Sequence, residues 1–304
     1  MREKIIIIKI GATGDVVRTT TLLHLYPNAN ITWITAKKNI AILPFKRPSL
    51  KRIVAIEDIE TSGILEEYFD FLISLDDDVA CASLASKLKA KKIFGSYIQD
   101  KKVVYTPDAY EWFDMGLSSR FGKEKADQLK WENKYSFQEI LFRMLGKEFN
   151  GEEYLIPEDI VSQGKSNVIG IESRAGNRWP TKVWNQYVQL ADYLRSIGYT
   201  IVFFEERDNI KDYLQDIGNV SLVICGDTLA MHIAIALKIP CVTFFTCTSP
   251  VEIYGYNRME KLVSPYLKDA FYKTDYLPQA VSSIHLEEVL LAIKKLNLRE
   301  NINK

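Results

Sequence analysis

Long apolar runs are missing from this chain of 304 residues, and so is any excess of charge. No stretch approaches the roughly twenty uninterrupted apolar residues that cross a bilayer, so no transmembrane helix is expected. The apolar opening at residues 5–8 has no small-residue cleavage site behind it and reads as a buried parallel strand. Lys and Arg total 39 against 39 Asp and Glu, which leaves no global field to hold a polyanionic backbone. Nucleic acid is not an expected partner. Histidine is scarce, with only His24, His232 and His285, and Cys81, Cys225, Cys241 and Cys247 never reach CxxC spacing. A zinc site or disulfide framework is therefore not expected, no metal site is assigned, and the thiols read as buried and free in a reducing compartment. Repeats and low-complexity tracts are absent as well.

What is present is ordinary globular composition, with 47% hydrophobic and 26% charged residues. The length exceeds what one core usually serves, so two domains of about 150 residues each are expected. Short β-branched runs alternate with helical stretches through residues 5–94, and a second such series runs from 168 to 245. Strand and helix in alternation predict two doubly wound α/β domains with parallel sheets, divided as 1–158 and 159–304. In the first half the alternating runs are 5–10, 16–26, 31–35, 40–44, 52–56, 63–68, 71–74, 80–89 and 92–94, read in turn as strand and helix. Residues 96–165 lose the alternation and gain aromatics. One amphipathic helix is legible there at 136–145, and 151–164, holding Pro157, resembles an interdomain linker. A closing amphipathic helix near 286–296 could pack back on the N-terminal domain.

Four stretches could carry chemistry. Lys9-Ile-Gly-Ala-Thr-Gly-Asp lies directly after the first strand, where Gly11 and Gly14 permit close backbone approach at a helix start. It lacks the Gly-Lys-Ser/Thr of a Walker loop. It also lacks the spacing of GxGxxG, and Ala36-Lys37-Lys38 stands where a dinucleotide site wants an acid. Asp15 is either a first-turn helix carboxylate or a general base for a hydroxyl. In the second stretch, Ile169-Gly-Ile-Glu-Ser-Arg-Ala-Gly-Asn-Arg-Trp-Pro, an apolar strand enters a polar loop holding Ser173, Arg174 and Arg178. That is a generic phosphate site, against which Arg178 can equally be a solvated loop cation. The third is Gly226-Asp227-Thr228 with His232 one helical turn on, readable as a cap and a core histidine or as a ligand-facing set. The fourth, Thr248-Ser249-Pro250, is a turn or a phosphate-holding helix start.

Taken in order, the Lys9–Thr20 opening, Tyr26-Pro27-Asn28-Ala29, Arg178-Trp179-Pro180, Gly226-Asp227-Thr228 with His232, Thr248-Ser249-Pro250 and the closing Leu286-Glu-Glu-Val-Leu helix resemble glycosyltransferase family 9, the family of the lipopolysaccharide heptosyltransferases. The resemblance implies a GT-B fold, two Rossmann-like domains facing a central cleft, with acceptor held by the first and nucleotide-sugar by the second. It implies an inverting, metal-independent enzyme without a cofactor, moving a heptose-like sugar from ADP-heptose to a saccharide or glycolipid acceptor in cell-surface glycan synthesis. Asp15 would be the base. Ser173, Arg178, Gly226, Asp227, Thr228, His232, Thr248 and Ser249 would bind donor, and Gly11, Thr13, Gly14 and Arg18 would line the acceptor side. The enzyme would be cytoplasmic, with peripheral contact at the inner face of the membrane. Phe204-Glu-Glu-Arg-Asp stands where the family often has a glycine-rich loop, and a short first helix adds to the departures. They motivate an alternative, a weakly catalytic GT-B relative that binds nucleotide-sugar or glycan as a subunit.

Overall fold

Four consecutive isoleucines, Ile5 to Ile8, are fully buried in strand β1 (Lys4–Ile8), the pattern of a parallel strand covered on both faces. The computed structural model describes residues 2–117 and 120–302, with side chains described up to residue 296. The chain divides into two compact units, Met1–Asp159 and Ile160–Lys304.

In the first unit β1 is followed by β2 (Asn30–Thr35), β3 (Leu50–Ala55), β4 (Tyr68–Ser74), β5 (Lys89–Gln99) and β6 (Lys102–Tyr105). They form one sheet in the order β3-β2-β1-β4-β5-β6, parallel except for the β5–β6 pair. The strand order reverses between β1 and β4, the point at which doubly wound sheets open a crevice above their carboxyl ends. Between β2 and β3 a 3-10 helix spans Lys37–Ile42. The antiparallel hairpin lay in the stretch without alternation. Asp100 and Lys101 both take positive φ between Gln99 and Lys102, the two-residue turn that matches strand twist.

The first helix spans only Thr13–Thr19, and a second short helix spans Leu22–Leu25. The threonine run at 19–21 accounts for the break. Its hydroxyls donate to backbone carbonyls one turn back, Thr19 to Val16 at 2.8 Å, Thr20 to Val17 at 2.6 Å and Thr21 to Arg18 at 3.3 Å. Such back-bonding competes with the helical ladder, and branched side chains weaken it further. Half of the segment read as a linker belongs to this unit. Tyr154 and Ile156 are buried, and the Leu155 N–H donates to Thr20 Oγ1 at 2.7 Å. The amphipathic helix is Phe137–Met144, started by a capping box in which Ser136 and Glu139 exchange hydrogen bonds.

The second unit holds β7 (Val168–Glu172), β8 (Thr200–Phe203), β9 (Leu222–Gly226), β10 (Cys241–Phe245) and β11 (Met259–Val263), all parallel, in the order β11-β10-β9-β7-β8. Here the order reverses between β7 and β9. Helices Tyr187–Ser196 and Ile210–Gly218 make the crossovers to and from β8. Trp184 stacks on Phe244 at 4.6 Å in the core, which also takes Val289, Ala292, Ile293 and Leu296 of the helix Leu286–Ile302. That last helix packs against β10 and β11 of its own unit. All four cysteines are buried and free, and burial pushes each thiol upward, Cys241 and Cys247 to about 12. No described helix is long and apolar enough to cross a membrane.

Candidate active site

Each unit places its candidate residues after the carboxyl ends of its strands, at or beside its own switch point. In the first unit Lys9, Ile10 and Gly11 leave β1, and Thr13, Gly14 and Asp15 make the first turn of the helix Thr13–Thr19. Arg18 follows one turn later, its Nη2 2.8 Å from Asp15 Oδ1. The guanidinium lies 3.4 Å over the Phe137 ring, so its plane is fixed by the aromatic face and its charge by the carboxylate. Asp15 is a third exposed and keeps solvent access. Thr13 donates from Oγ1 to Asn39 Oδ1 at 2.8 Å, and Asn39 in turn donates from Nδ2 to the Ile10 carbonyl at 2.9 Å. A Cβ on Gly11 would sit 3.6 Å from Asp76 Oδ1, an ordinary contact, so nothing within the fold requires glycine at this position.

In the second unit Gly226 ends β9, Thr228 caps the helix Leu229–Ala236, and Asp227 lies between them. Lys182 reaches Asp227 from the turn Pro180–Lys182. Its Nζ donates to the Asp227 carbonyl at 2.8 Å and to Oδ2 at 3.1 Å. The two segments touch so closely that a Cβ on Gly226 would lie 2.7 Å from the Lys182 carbonyl oxygen. Only glycine fits without displacement. Burial would push the Asp227 carboxyl upward, but Lys182, His232 and the Thr248 hydroxyl together hold it down at about 2. Asp227 is thus a fixed anion. The Thr228 side chain makes no cap hydrogen bond, and its hydroxyl is buried without a partner. A buried hydroxyl in that condition, at the amino end of an eight-residue helix, is a ready donor or acceptor for a ligand. Thr248 and Ser249 are both buried after β10, and His232 is buried one turn into the helix.

The loop after β7 is organised around Glu172, whose Oε2 accepts from Tyr213 at 2.7 Å and from Arg174 Nη2 at 2.8 Å, while Oε1 accepts from Arg174 Nε at 2.9 Å. Ser173 follows directly, half-buried beside that pair. Arg178 goes elsewhere. It is exposed, with its guanidinium 5.4 Å over the Trp179 ring. Gly226, Asp227, Thr228, His232 and Thr248 come together, and the cation among them is Lys182, which the sequence reading passed over. Its signal was position: it lies two residues before the buried Trp184 and two after the Arg178-Trp179-Pro180 stretch already singled out. Asn39 and Asp76 were passed over for the same reason, being distant in sequence from the Lys9 motif. Among the described residues no group of His, Cys, Asp and Glu is arranged to hold a metal ion.

The model of Glycosyltransferase family 9 (heptosyltransferase) matches residues 207–277, the segment that contains Gly226, Asp227, Thr228, His232, Thr248 and Ser249. No curated protein sequence matches the chain. Solved structures share its fold from end to end. A family 9 glycosyltransferase from Veillonella parvula is 18% identical, with a TM-score of 0.66 over 98% of this chain and 97% of that one. ADP-heptose lps heptosyltransferase II of E. coli is 18% identical, with a TM-score of 0.64 over 98% and 99%. E. coli heptosyltransferase WaaC, solved with ADP-2-deoxy-2-fluoro heptose, is 14% identical, with a TM-score of 0.62 over 96% and 99%. The segment that matches the family 9 model thus contains the Asp227 cluster, and the chain shares the two-sheet α/β fold of these solved glycosyltransferases.

Proposed function

We propose that the protein is an inverting glycosyltransferase that takes a heptose-like sugar from ADP-heptose and passes it to a saccharide or glycolipid acceptor of a lipopolysaccharide-type glycan. The observation that carries this reading is the Lys182, Asp227 and Thr228 cluster at the amino end of the helix Leu229–Ala236. A nucleoside diphosphate needs positive charge and free donors. Lys182 and the helix terminus offer both. Asp227 holds Lys182 in place, and its own charge offsets one of the diphosphate's attractions while leaving hydroxyls of the sugar an acceptor. The solved relative that holds ADP-2-deoxy-2-fluoro heptose supports the donor class.

In the first unit Asp15 would accept the proton of the acceptor hydroxyl as that oxygen attacks the anomeric carbon and the nucleoside diphosphate departs. Arg18 orients the carboxylate, and Gly11, Thr13 and Gly14 border the acceptor. Departure of the diphosphate is assisted by Lys182 and the helix dipole in place of a metal, with Ser173, Thr248 and Ser249 as further hydrogen-bonding groups and Arg178 at the rim. Four buried free thiols suit work on the cytoplasmic side, at the inner face of the membrane where such an acceptor is anchored.

The test is thermal shift with ADP, GDP, UDP, CMP and dTDP in EDTA and again with magnesium, followed by transfer assays of Asp15→Asn. Stabilisation by ADP alone, undiminished in EDTA, is expected, at about 2.7 kcal/mol for ligand at a hundred times its dissociation constant. Asp15→Asn should keep ADP affinity and lose transfer. Preference for another nucleotide overturns the donor, a strict magnesium requirement overturns the metal-free mechanism, and turnover by Asp15→Asn overturns the base.

A further inference from the structure

The turn that carries Asp15 is held from both sides by the strands that flank β1. On the β4 side, the Asp76 carboxylate accepts from the Lys9 ammonium through Oδ1, and through Oδ2 from the Ile10 N–H and, at 3.3 Å, from the Gly11 N–H. On the β2 side, Asn39 takes the Ile10 carbonyl at 2.9 Å and receives the Thr13 hydroxyl at 2.8 Å. The Ile10 residue is thereby fixed at its N–H by one loop and at its carbonyl by the other. Asp76 is itself anchored, because Ser96 Oγ donates to its carbonyl at 2.5 Å and lies 3.0 Å from Ser74 Oγ. Lys9 and Asp76 are both nearly buried.

We propose that Asp76 is a positioning residue of the transfer reaction: its carboxylate fills, from within the chain, the place above the β1–β4 switch point where a doubly wound sheet would otherwise take a ligand anion, and by gathering the Lys9, Ile10 and Gly11 donors it sets the helix that presents Asp15. This rests on the reading of Asp15 as the base. Two consequences follow from the chemistry. The donors of this turn are spent on Asp76, so phosphate groups are left to the second unit. And a buried ion pair adds little net stability over an apolar pair of the same shape, so its value lies in fixing one geometry. Gly11 lies just before the Ala12 cap, and Asp15 sits in the first turn of the helix that follows, so a shift of the turn is passed to the carboxylate, and misplacement by about 1 Å costs on the order of a hundredfold in rate.

The experiment uses the full chain with Asp76→Asn, Asp76→Glu and Asp76→Gly. Transfer kinetics are read together with amide hydrogen exchange of peptides covering 10–19 and 226–236. In Asp76→Gly, kcat should fall at least about tenfold with the donor KM held within about twofold, and exchange should quicken in 10–19 while 226–236 stays as in the wild type. Formate, which supplies a carboxylate to the vacated place, should restore both kcat and protection in Asp76→Gly and do nothing to the wild type, while chloride does neither. Asp76→Glu should retain more kcat than Asp76→Asn. Unchanged exchange in 10–19, parallel loss of donor affinity and kcat, or formate restoring protection without kcat overturns the proposal. Wild-type protein that transfers nothing overturns the functional reading and this proposal with it. That failure is told apart from failure of the clamp because exchange and formate response are read on the same samples.

Discussion

Replacing Lys182 by methionine isolates the electrostatics of the candidate donor site. Methionine keeps the unbranched stem out to Cε and removes the ammonium that donates to the Asp227 carbonyl and to Oδ2. Asp227 is mostly buried, yet its carboxyl is held at about 2 against an ordinary value of 3.8. A group whose folded-state value is depressed stabilises the fold at pH above its unfolded value and loses that contribution as pH falls through the folded one. At about 1.36 kcal/mol per unit the depression is worth about 2 to 3 kcal/mol near neutrality. Lys182 shares this work with His232 and Thr248, but its loss also leaves burial unopposed, which drives the carboxyl back up. Lys182→Met should therefore cost at least about 2 kcal/mol at pH 7, with the gap to the wild type narrowing between pH 3.8 and 2 as Asp227 becomes neutral in both. Urea unfolding of the second unit across that range measures it. ADP affinity should fall in the same variant. A stability gap that does not change with pH refutes the assignment of Asp227 as an anion held by Lys182.

Gly226→Ala should destabilise by about 1 to 3 kcal/mol, since its Cβ would lie 2.7 Å from the Lys182 carbonyl oxygen, and ADP binding should weaken with it; unchanged melting and affinity would show that the contact relaxes freely. The four thiols should resist a disulfide reagent in native protein at pH 8 and react in denaturant, because burial raises all of them; labelling of the native protein at the rate of a free thiol contradicts their burial. Ser136→Ala should lower stability by about 1 kcal/mol in equilibrium unfolding through loss of the capping box, with ADP binding unaltered; no loss would mean that Glu139 alone suffices at that helix start.

The sequence by itself determined the class of fold and the places where chemistry could occur. Buried runs such as Ile5 to Ile8, alternating with helices, specify parallel sheets because such strands are covered on both faces, and that periodicity is local information. Asp15 and the Gly226-Asp227-Thr228 turn were legible for a related reason, since glycine and capping residues after an apolar strand mark a strand end meeting a helix start. Local pattern also fell short. The 3-10 helix Lys37–Ile42 delivers Asn39 to the Ile10 carbonyl, a tertiary use no propensity records. The threonines at 19–21 shorten a helix through hydroxyl bonds whose outcome depends on what packs around them. Only the tertiary structure decided which cation serves the Asp227 cluster. Arg178 and Lys182 lie four positions apart in one loop and are equivalent on composition, but the approach of that loop to within one glycine of β9 turns Lys182 toward Asp227 and leaves Arg178 on Trp179 in solvent. Asp76 was illegible for the same reason. Its partners Lys9, Ile10 and Gly11 stand more than sixty residues away in sequence, and sheet order alone makes them neighbours.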